Sequence, residues 1–422
     1  MELHQPSLLQ PDVVNDYDPN SMSVEQARLL IQQFLTPFTQ QEAVSLHTAL
    51  QRTLACDVVS PMNVPPHDYS AMDGYALRHA DLAVGSTKFR IIGSSFAGHP
   101  FSGKVAAREC VRIMTGALIP AGCDSVVEQE IVEVDGDRVA IGDNVHCGQH
   151  IRLRGEDIEQ GAIVLQRGQV IRAAEMGLLA SLGFSEIKVF RKLRVALFST
   201  GDELQQLGIP LTAGQIYDSN RYSLLGLLSE LGGIEILDLG NVRDDCDRLR
   251  DVLLNAAAQA DVILTSGGVS VGEADYIKQL LAEIGEVVFW KIAMKPGRPL
   301  AYGKIGACHF FGLPGNPVAV MVTFQQFVRN ALKKLMGQDI EPGFIFSATC
   351  TSPIRKIPGR TEFQRGIVSQ EENGEWVVRT TGAQGSGILS SISKANCYIV
   401  LPESQGNVAA GSRVHIQFFR TI

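Results

Sequence analysis

Between Leu193 and Leu335, short apolar runs alternate with helical patterns. LRVALFST and DVILT are nearly continuous apolar runs, the pattern of strands buried on both faces, and IEILDLG reads as a further strand between them. Helical spacing follows each of them, over Arg221 to Leu231, Cys246 to Gln259 and Asp275 to Ile284. EVVFWKI comes next, then the hairpin-like pair LAYG and CHFFG. LPGNP then opens a long helix predicted from Val318 to Leu335. This alternation predicts a three-layer α/β domain with a mostly parallel sheet. Ligands of such sheets bind beyond the carboxyl ends of the strands. The loops STGDEL, NVRDD, SGGVSVGEAD and LPGNP all follow strands, so they are expected on one rim.

The flanks read differently. SVEQARLLIQQFL predicts a helix over Ser23 to Leu35, capped by Ser23 and stopped by Pro37. A second short helix is predicted over His47 to Ala55. Pro65 and Pro66 then forbid helix and open a polar loop containing Asp68, Ser70, Asp73 and Gly74. From about Phe89 to Ile151, glycine-dotted β-type runs predict an inserted all-β domain, with Thr115 and Gly116 ending one run. A helix over Ala173 to Leu182 closes the first part, with Gly183 as its stop. After Gly337 about five strands predict a C-terminal β-barrel-like domain. The expected division is a flexible extension over 1–20, and a discontinuous linker domain over 21–60 and 158–192. An inserted β-rich domain over 61–157, an α/β domain over 193–338 and a β domain over 339–422 complete it.

Composition narrows the function classes. The chain has 422 residues, 45% hydrophobic and 19% charged, as soluble globular proteins do. A net charge of -8 argues against broad nucleic-acid binding. No apolar run approaches the ~18 residues of a membrane span. MELHQPSLLQ lacks the basic and apolar regions of a signal peptide, so a cytoplasmic location is expected. The eight cysteines form no CxxC pair, which favours reduced thiols over a zinc site or disulfide framework. His146 and His150 are four apart, but Gly148 between them weakens a helical ligand pair.

Candidate chemistry concentrates in DVILTSGGVSVGEADY, where Ser266, Gly267, Gly268, Ser270 and Gly272 precede Glu273 and Asp275. Glycines admit close approach of a ligand, and N–H groups at a helix start suit an oxyanion. The acids would repel a bare phosphate, so a divalent cation is the natural companion. The spacing matches neither GxxxxGK[ST] nor GxGxxG. The plain alternative is a tight turn with acids favouring the helix start. Glu203, Asp244, Asp245, Glu273 and Asp275 are the candidate acids of the rim. Lys291 and Lys295, with Arg298 behind them, are its candidate cations. Arg365 and Ser386 are polar candidates to face a ligand in the C-terminal domain, with a plain surface role as the alternative for each.

The motifs SAMDGYA, RIMTGA, RGEDI, FSTGDEL, YDSNR, TSGGVSVGEADY, KPGRP, GLPGNPV and FQRG, in this order, resemble those of the molybdopterin molybdenumtransferase (MoeA) family. The likeness runs from about residue 21 to the last residue. Its α/β part is also similar to molybdopterin adenylyltransferase and to gephyrin. The resemblance implies a Mg²⁺-dependent (or other divalent cation-dependent) reaction, in which adenylylated molybdopterin and molybdate give molybdenum cofactor and AMP. It implies catalytic roles for Asp73, Thr115, Glu203, Asp244, Asp275, Lys291 and Lys295. Glu203, Asp244 and Asp275 would hold the metal. Asp218, Ser266, Gly267, Gly268, Ser270, Pro314, Gly315, Asn316, Arg365 and Ser386 would bind the pterin substrate. A homodimer is implied, with Asp73 and Thr115 reaching the partner's site. Contacts with molybdopterin adenylyltransferase and molybdoenzymes are also implied. Arg298 stands where Lys is also common in the family. A non-catalytic pterin-binding scaffold and an adenylyltransferase are the alternative readings.

Overall fold

The structure is a computed structural model that describes residues 21–82, 87–268, 276–340 and 345–419. The extension over 1–20 lies outside the described residues. The chain divides into two compact units. One comprises Met1–Ala43, Leu50–Ala55 and Lys188–Ile422, the other Val44–Ala49 and Cys56–Ile187.

In the first unit, six strands form one sheet in the order Ile234–Val242, Leu193–Thr200, Val262–Ser266, Cys308–Leu313, Pro299–Ile305, Glu286–Lys291. The first four are mutually parallel, Pro299–Ile305 runs antiparallel to them, and Glu286–Lys291 is antiparallel to Pro299–Ile305 and so shares their direction. The two-residue period of a strand sends alternate side chains to opposite faces. Val195, Leu197, Val262 and Leu264 therefore join one core with the helices Ser219–Leu231 and Pro317–Thr323. Ala196, Phe198 and Ile263 join another with Cys246–Gln259 and Tyr276–Ile284. This is the three-layer arrangement that the apolar runs predict.

The opening helix Val24–Phe34 begins at a capping box. Ser23 Oγ accepts from Gln26 N–H at 3.2 Å, and Gln26 Oε1 accepts from Ser23 N–H at 3.0 Å. Its buried face, Val24, Ala27 and Ile31, packs into the α/β core, and Leu35 and Phe38 after it join the same core. The predicted helix over His47 to Ala55 reduces to one 3₁₀ turn, Leu46–Thr48. Gln51 takes φ 59°, which ends any helix, and Ala55 N–H donates to Lys188 O as in a strand. The long helix over Val318 to Leu335 is broken by a π turn, Phe324–Val328, between Pro317–Thr323 and Arg329–Leu335. Thr323 Oγ1 donates back to Ala319 O and Val320 O, and Arg28 Nε donates to Gln326 O within the π turn at 3.2 Å.

The C-terminal strands Thr361–Gln370, Trp376–Thr380, Phe346–Cys350, Arg413–Phe418 and Cys397–Leu401 close into a five-stranded barrel. Its interior holds Ala348, Val368, Val378, Ile399, Val414 and Ile416. The two-residue strand Met294–Lys295 adds to its outside, parallel to Thr361–Gln370.

The second unit contains a six-stranded mixed sheet in the order Ser125–Glu128, Gly74–Leu77, Glu109–Ile113, Thr87–Ser95, Arg138–Ile141, Glu133–Asp135. Tyr75, Leu77, Phe89, Val127 and Ile141 pack on one face, and Ala76, Ile113, Ala117 and Val126 on the other. No helix among the described residues is long and apolar enough to cross a membrane.

Candidate active site

Parallel pairing places Thr200, Val242, Ser266 and Leu313 at one edge of the sheet. Lys291 ends a strand of the same direction, because two antiparallel steps separate it from Cys308–Leu313. The rim predicted from the alternation is therefore present. Its tightest point is the glycine turn. Gly267 has φ +89°, and a β-carbon there would lie 2.3 Å from Thr200 O. At Gly268, φ is +65°, and a β-carbon would meet the Ile277 side chain at 2.7 Å and Thr200 Cγ2 at 2.8 Å. Only glycine fits both the backbone conformation and the space. Close approach of this chain's own strand end demands these glycines, and Gly267 N–H already donates to Leu313 O at 3.2 Å. Ser270, Glu273 and Asp275 lie outside the described residues.

The acids fall into two kinds. Asp218 is buried at the start of Ser219–Leu231, and its Oδ1 accepts from Ser199 Oγ and Arg221 N–H, both at 3.1 Å. Arg221 Nε donates to its Oδ2 at 3.1 Å, and Arg221 also reaches Asp238 at 2.6 Å. Asp218 is thus a helix cap joined to a strand end, with both oxygens engaged. Asp245 caps Cys246–Gln259 in the same way through Arg248 N–H. Asp244 is different. Burial pushes its carboxyl above the ordinary aspartate value, and the negative charges of Asp202 and Glu203 add to the rise. Only Thr200 Oγ1, at 3.4 Å, offsets this. Glu203 lies over Gly201, where a β-carbon would come within 2.6 Å of its Oε2. Three hard oxygen donors thus share excess negative charge, which is the donor chemistry a Mg²⁺-class cation takes. Among the described residues no group of three or more acidic, His or Cys side chains is already arranged around one metal position. Sequence reasoning missed Asp202, although it stands beside Glu203 in STGDEL.

On the other flank, Lys295 is 53% exposed, with Nζ 3.6 Å from Glu362 Oε1. Glu362 is buried and accepts from Gln364 Nε2 at 2.8 Å. Lys291 is half-buried, and its carbonyl accepts from Met22 N–H at 3.3 Å. Pro314 O accepts from Ser266 Oγ at 3.4 Å. Asn316 stands at the N-cap of Pro317–Thr323 without a side-chain cap bond. Val318 N–H donates to Ser386 O at 3.0 Å, so Ser386 of the C-terminal domain meets this loop. Arg365 is fully buried behind it. Its Nε donates to Ser391 Oγ and its guanidinium to Gly385 O, both at 3.0 Å. Burial lowers the Arg365 pKa. Asn220, absent from the predicted set, donates to both Ser266 Oγ and Gly315 O.

Asp73 and Thr115 lie in the second unit and are brought together there. Asp73 Oδ1 accepts from Thr115 N–H at 2.7 Å and from Thr115 Oγ1 at 2.8 Å. These bonds, and then the Arg112 charge, hold the Asp73 carboxyl below its ordinary value.

Comparisons with known proteins cover nearly the whole chain. Residues 22–183 match the model of the MoeA N-terminal region (domain I and II). Residues 196–334 match the probable molybdopterin binding domain, and 347–419 the MoeA C-terminal region (domain IV). The chain is 45% identical to molybdopterin molybdenumtransferase of Haemophilus influenzae, over 94% of this chain and 98% of that one. It is 34% identical to gephyrin of Dictyostelium discoideum, over 94% of this chain and 62% of gephyrin. The crystal structure of the molybdopterin biosynthesis moeA protein from Pyrococcus horikoshii superposes with a TM-score of 0.81 at 30% identity, covering 94% of this chain and all of that one. The chain belongs to the molybdopterin molybdenumtransferase family and is an enzyme of molybdenum cofactor biosynthesis.

Proposed function

We propose that the enzyme inserts molybdenum from molybdate into adenylylated molybdopterin and releases AMP, with Mg²⁺ or another divalent cation required. The observation that carries this reading is the grouping of the Asp202, Glu203 and Asp244 carboxylates on the same sheet edge as the glycine turn and Lys291. These carboxylates would repel the phosphates of such a substrate, and a divalent cation between them offsets that repulsion. Glu203 and Asp244 would hold that ion, with Asp275 as the third acid expected from the sequence. Mg²⁺ supplies charge neutralisation for phosphate oxygens and for the leaving phosphate of AMP. Lys291 and Lys295 would bind the phosphates and draw in the molybdate oxyanion. The groups Ser266, Gly267, Gly268, Pro314, Gly315 and Asn316 would shape the wall against which the pterin's phosphate side lies. Arg365 and Asp218 would act by holding loops, since their polar atoms are spent on this chain's own groups. Fixed donors and charges of this kind supply most of the catalysis in phosphoryl chemistry.

We further propose a cytoplasmic homodimer in which Asp73 and Thr115 of one subunit serve the site of the other, and contacts with molybdopterin adenylyltransferase and with molybdoenzymes. The finer division into the four segments and the N-terminal extension read from the sequence belongs to the same proposal. The test is AMP release from adenylylated molybdopterin, with and without molybdate, at fixed Mg²⁺. Molybdate-dependent release that leaves a metallated pterin is expected, and Glu203→Gln should abolish it. Tight pterin binding without AMP under any condition would overturn the transferase reading in favour of a binding protein.

A further inference from the structure

The loop after Val262–Ser266 and the loop after Cys308–Leu313 meet at one side chain that belongs to neither. Asn220 is the second residue of Ser219–Leu231. Its Nδ2 donates to Ser266 Oγ at 2.8 Å and to Gly315 O at 2.7 Å. Ser266 Oγ passes the chain on to Pro314 O at 3.4 Å. A carbonyl only accepts, so the contact with Gly315 O fixes which end of the amide faces the loops. The same amide has its Oδ1 buried with no hydrogen-bond partner among the described residues. A buried carbonyl without a donor is unfavourable, and such groups are uncommon in folded proteins. Asparagine is therefore placed here for its two donor hydrogens. The residues on either side of it have separate tasks. Asp218 ties the same helix start to Ser199 at the neighbouring strand end, and Arg221 ties it to Asp238. Asn220 adds the two further loops, so one helix turn holds three strand ends of the rim.

We propose that Asn220 is a positioning residue of the active site, setting the separation of the Ser266–Gly268 and Pro314–Asn316 walls between which the substrate's phosphate side is held. This rests on the pterin-binding reading of the rim. A displacement of about 1 Å in such a wall costs on the order of 10²-fold in rate when it holds reacting groups.

The experiment uses the full chain carrying Asn220→Asp, which keeps the shape and removes the donors, and Asn220→Ala as a second variant. Hydrogen exchange is followed in peptides covering 262–268 and 312–318, without any ligand. Molybdopterin affinity and the KM and kcat for molybdate-dependent AMP release are then measured. Faster exchange at Gly267 and Val318, weaker molybdopterin binding and a KM raised about tenfold or more, at a nearly unchanged melting temperature, are expected. A loss of kcat that follows only the folded fraction, with KM and pterin affinity as in the parent, would overturn the proposal. So would unchanged exchange in both variants. Failure of the underlying reading has a separate signature, because the unsubstituted chain itself would then neither bind molybdopterin nor release AMP.

Discussion

Thr115 gives both its backbone N–H and its hydroxyl to a single oxygen of Asp73. The two residues are 42 apart in sequence, and each is a surface group. A carboxylate that accepts two hydrogen bonds is stabilised in its charged form. Asp73 is therefore a fixed anion near neutral pH, suited to orienting a donor and unsuited to giving a proton. Thr115→Val removes the hydroxyl and leaves the N–H. The Asp73 midpoint, followed by carboxyl NMR, is expected to rise in this variant, and an unchanged midpoint would contradict the assignment.

The proposed sharing of Asp73 across a dimer is tested by complementation. Asp73→Ala and Lys295→Ala chains are each expected to be inactive. Mixed and refolded together, they form hybrid dimers with one intact site, and activity should return toward a quarter of the parental level per mixed chain pool. No recovery would show that Asp73 and Lys295 serve the same subunit or that no dimer forms.

Gly267 and Gly240 separate two costs of replacing glycine. Both have positive φ, +89° and +76°, but only Gly267 would press a β-carbon against a backbone oxygen, while Gly240 faces open space. Gly240→Ala should cost about 1 kcal/mol, the strain of the left-handed conformation. Gly267→Ala should cost more, about 2–4 kcal/mol, because Thr200 O cannot move without shifting its strand. Equal melting temperatures for the two variants would mean that the turn relaxes freely.

The α/β sheet is legible in the sequence because its central strands, Leu193–Thr200 and Val262–Ser266, are nearly continuous apolar runs, and the barrel because strands such as Arg413–Phe418 alternate buried and exposed positions. Cys246–Gln259 carries an aspartate cap and an apolar stripe, so its start and its buried face are readable. The segment after His47 misleads because its apolar residues also suit the irregular, strand-like path that Gln51 and Ala55 take. The π turn at Phe324–Val328 leaves no periodic mark, and the Arg28 side chain that donates to Gln326 O within it is nearly 300 residues away in sequence. Asn220 escapes for the same reason. Its partners lie 46 and 95 residues away, and no local pattern encodes contacts between segments so far apart. Family motifs point to Asp218, and the structure shows that its oxygens cap a helix and hold a strand end.

At the opposite edge of the same sheet, burial pushes the His309 imidazole down to about 4, with the Lys304 charge adding to the shift. Tyr302 Oη lies 3.1 Å from its Nδ1. In the unfolded chain the imidazole titrates near 6.5. The folded value is the lower one, so this contribution to stability is complete above about pH 6.5 and is lost as pH falls toward 4. By linkage the loss from this group at pH 5 is roughly 2 kcal/mol. His309→Gln should therefore show a smaller fall in stability between pH 7 and pH 5 than the parent, measured by urea denaturation. Parallel pH dependence in the two proteins would place the titrating group elsewhere.

Arg365 offers a test of how the barrel acts on the rim. It stands opposite Tyr398 in the ladder, is fully buried, and reaches Ser391 Oγ and Gly385 O with two different nitrogens. Gly385 precedes Ser386, whose carbonyl receives Val318 N–H at the start of the helix after LPGNP. The guanidinium thus holds a loop that in turn holds the rim. Lysine keeps the charge but has one nitrogen at the end of a flexible chain and cannot span both partners. Arg365→Lys should cost about 1–3 kcal/mol of stability through one unpartnered buried group. It should also raise the KM of AMP release well beyond what that stability loss explains, because Ser386 is no longer fixed against Val318. Arg365→Met separates charge from contact. If the cation itself bound substrate, Lys would retain most activity and Met none. If the loop contacts are what matter, the two variants should be impaired alike, and that equality is the expected result.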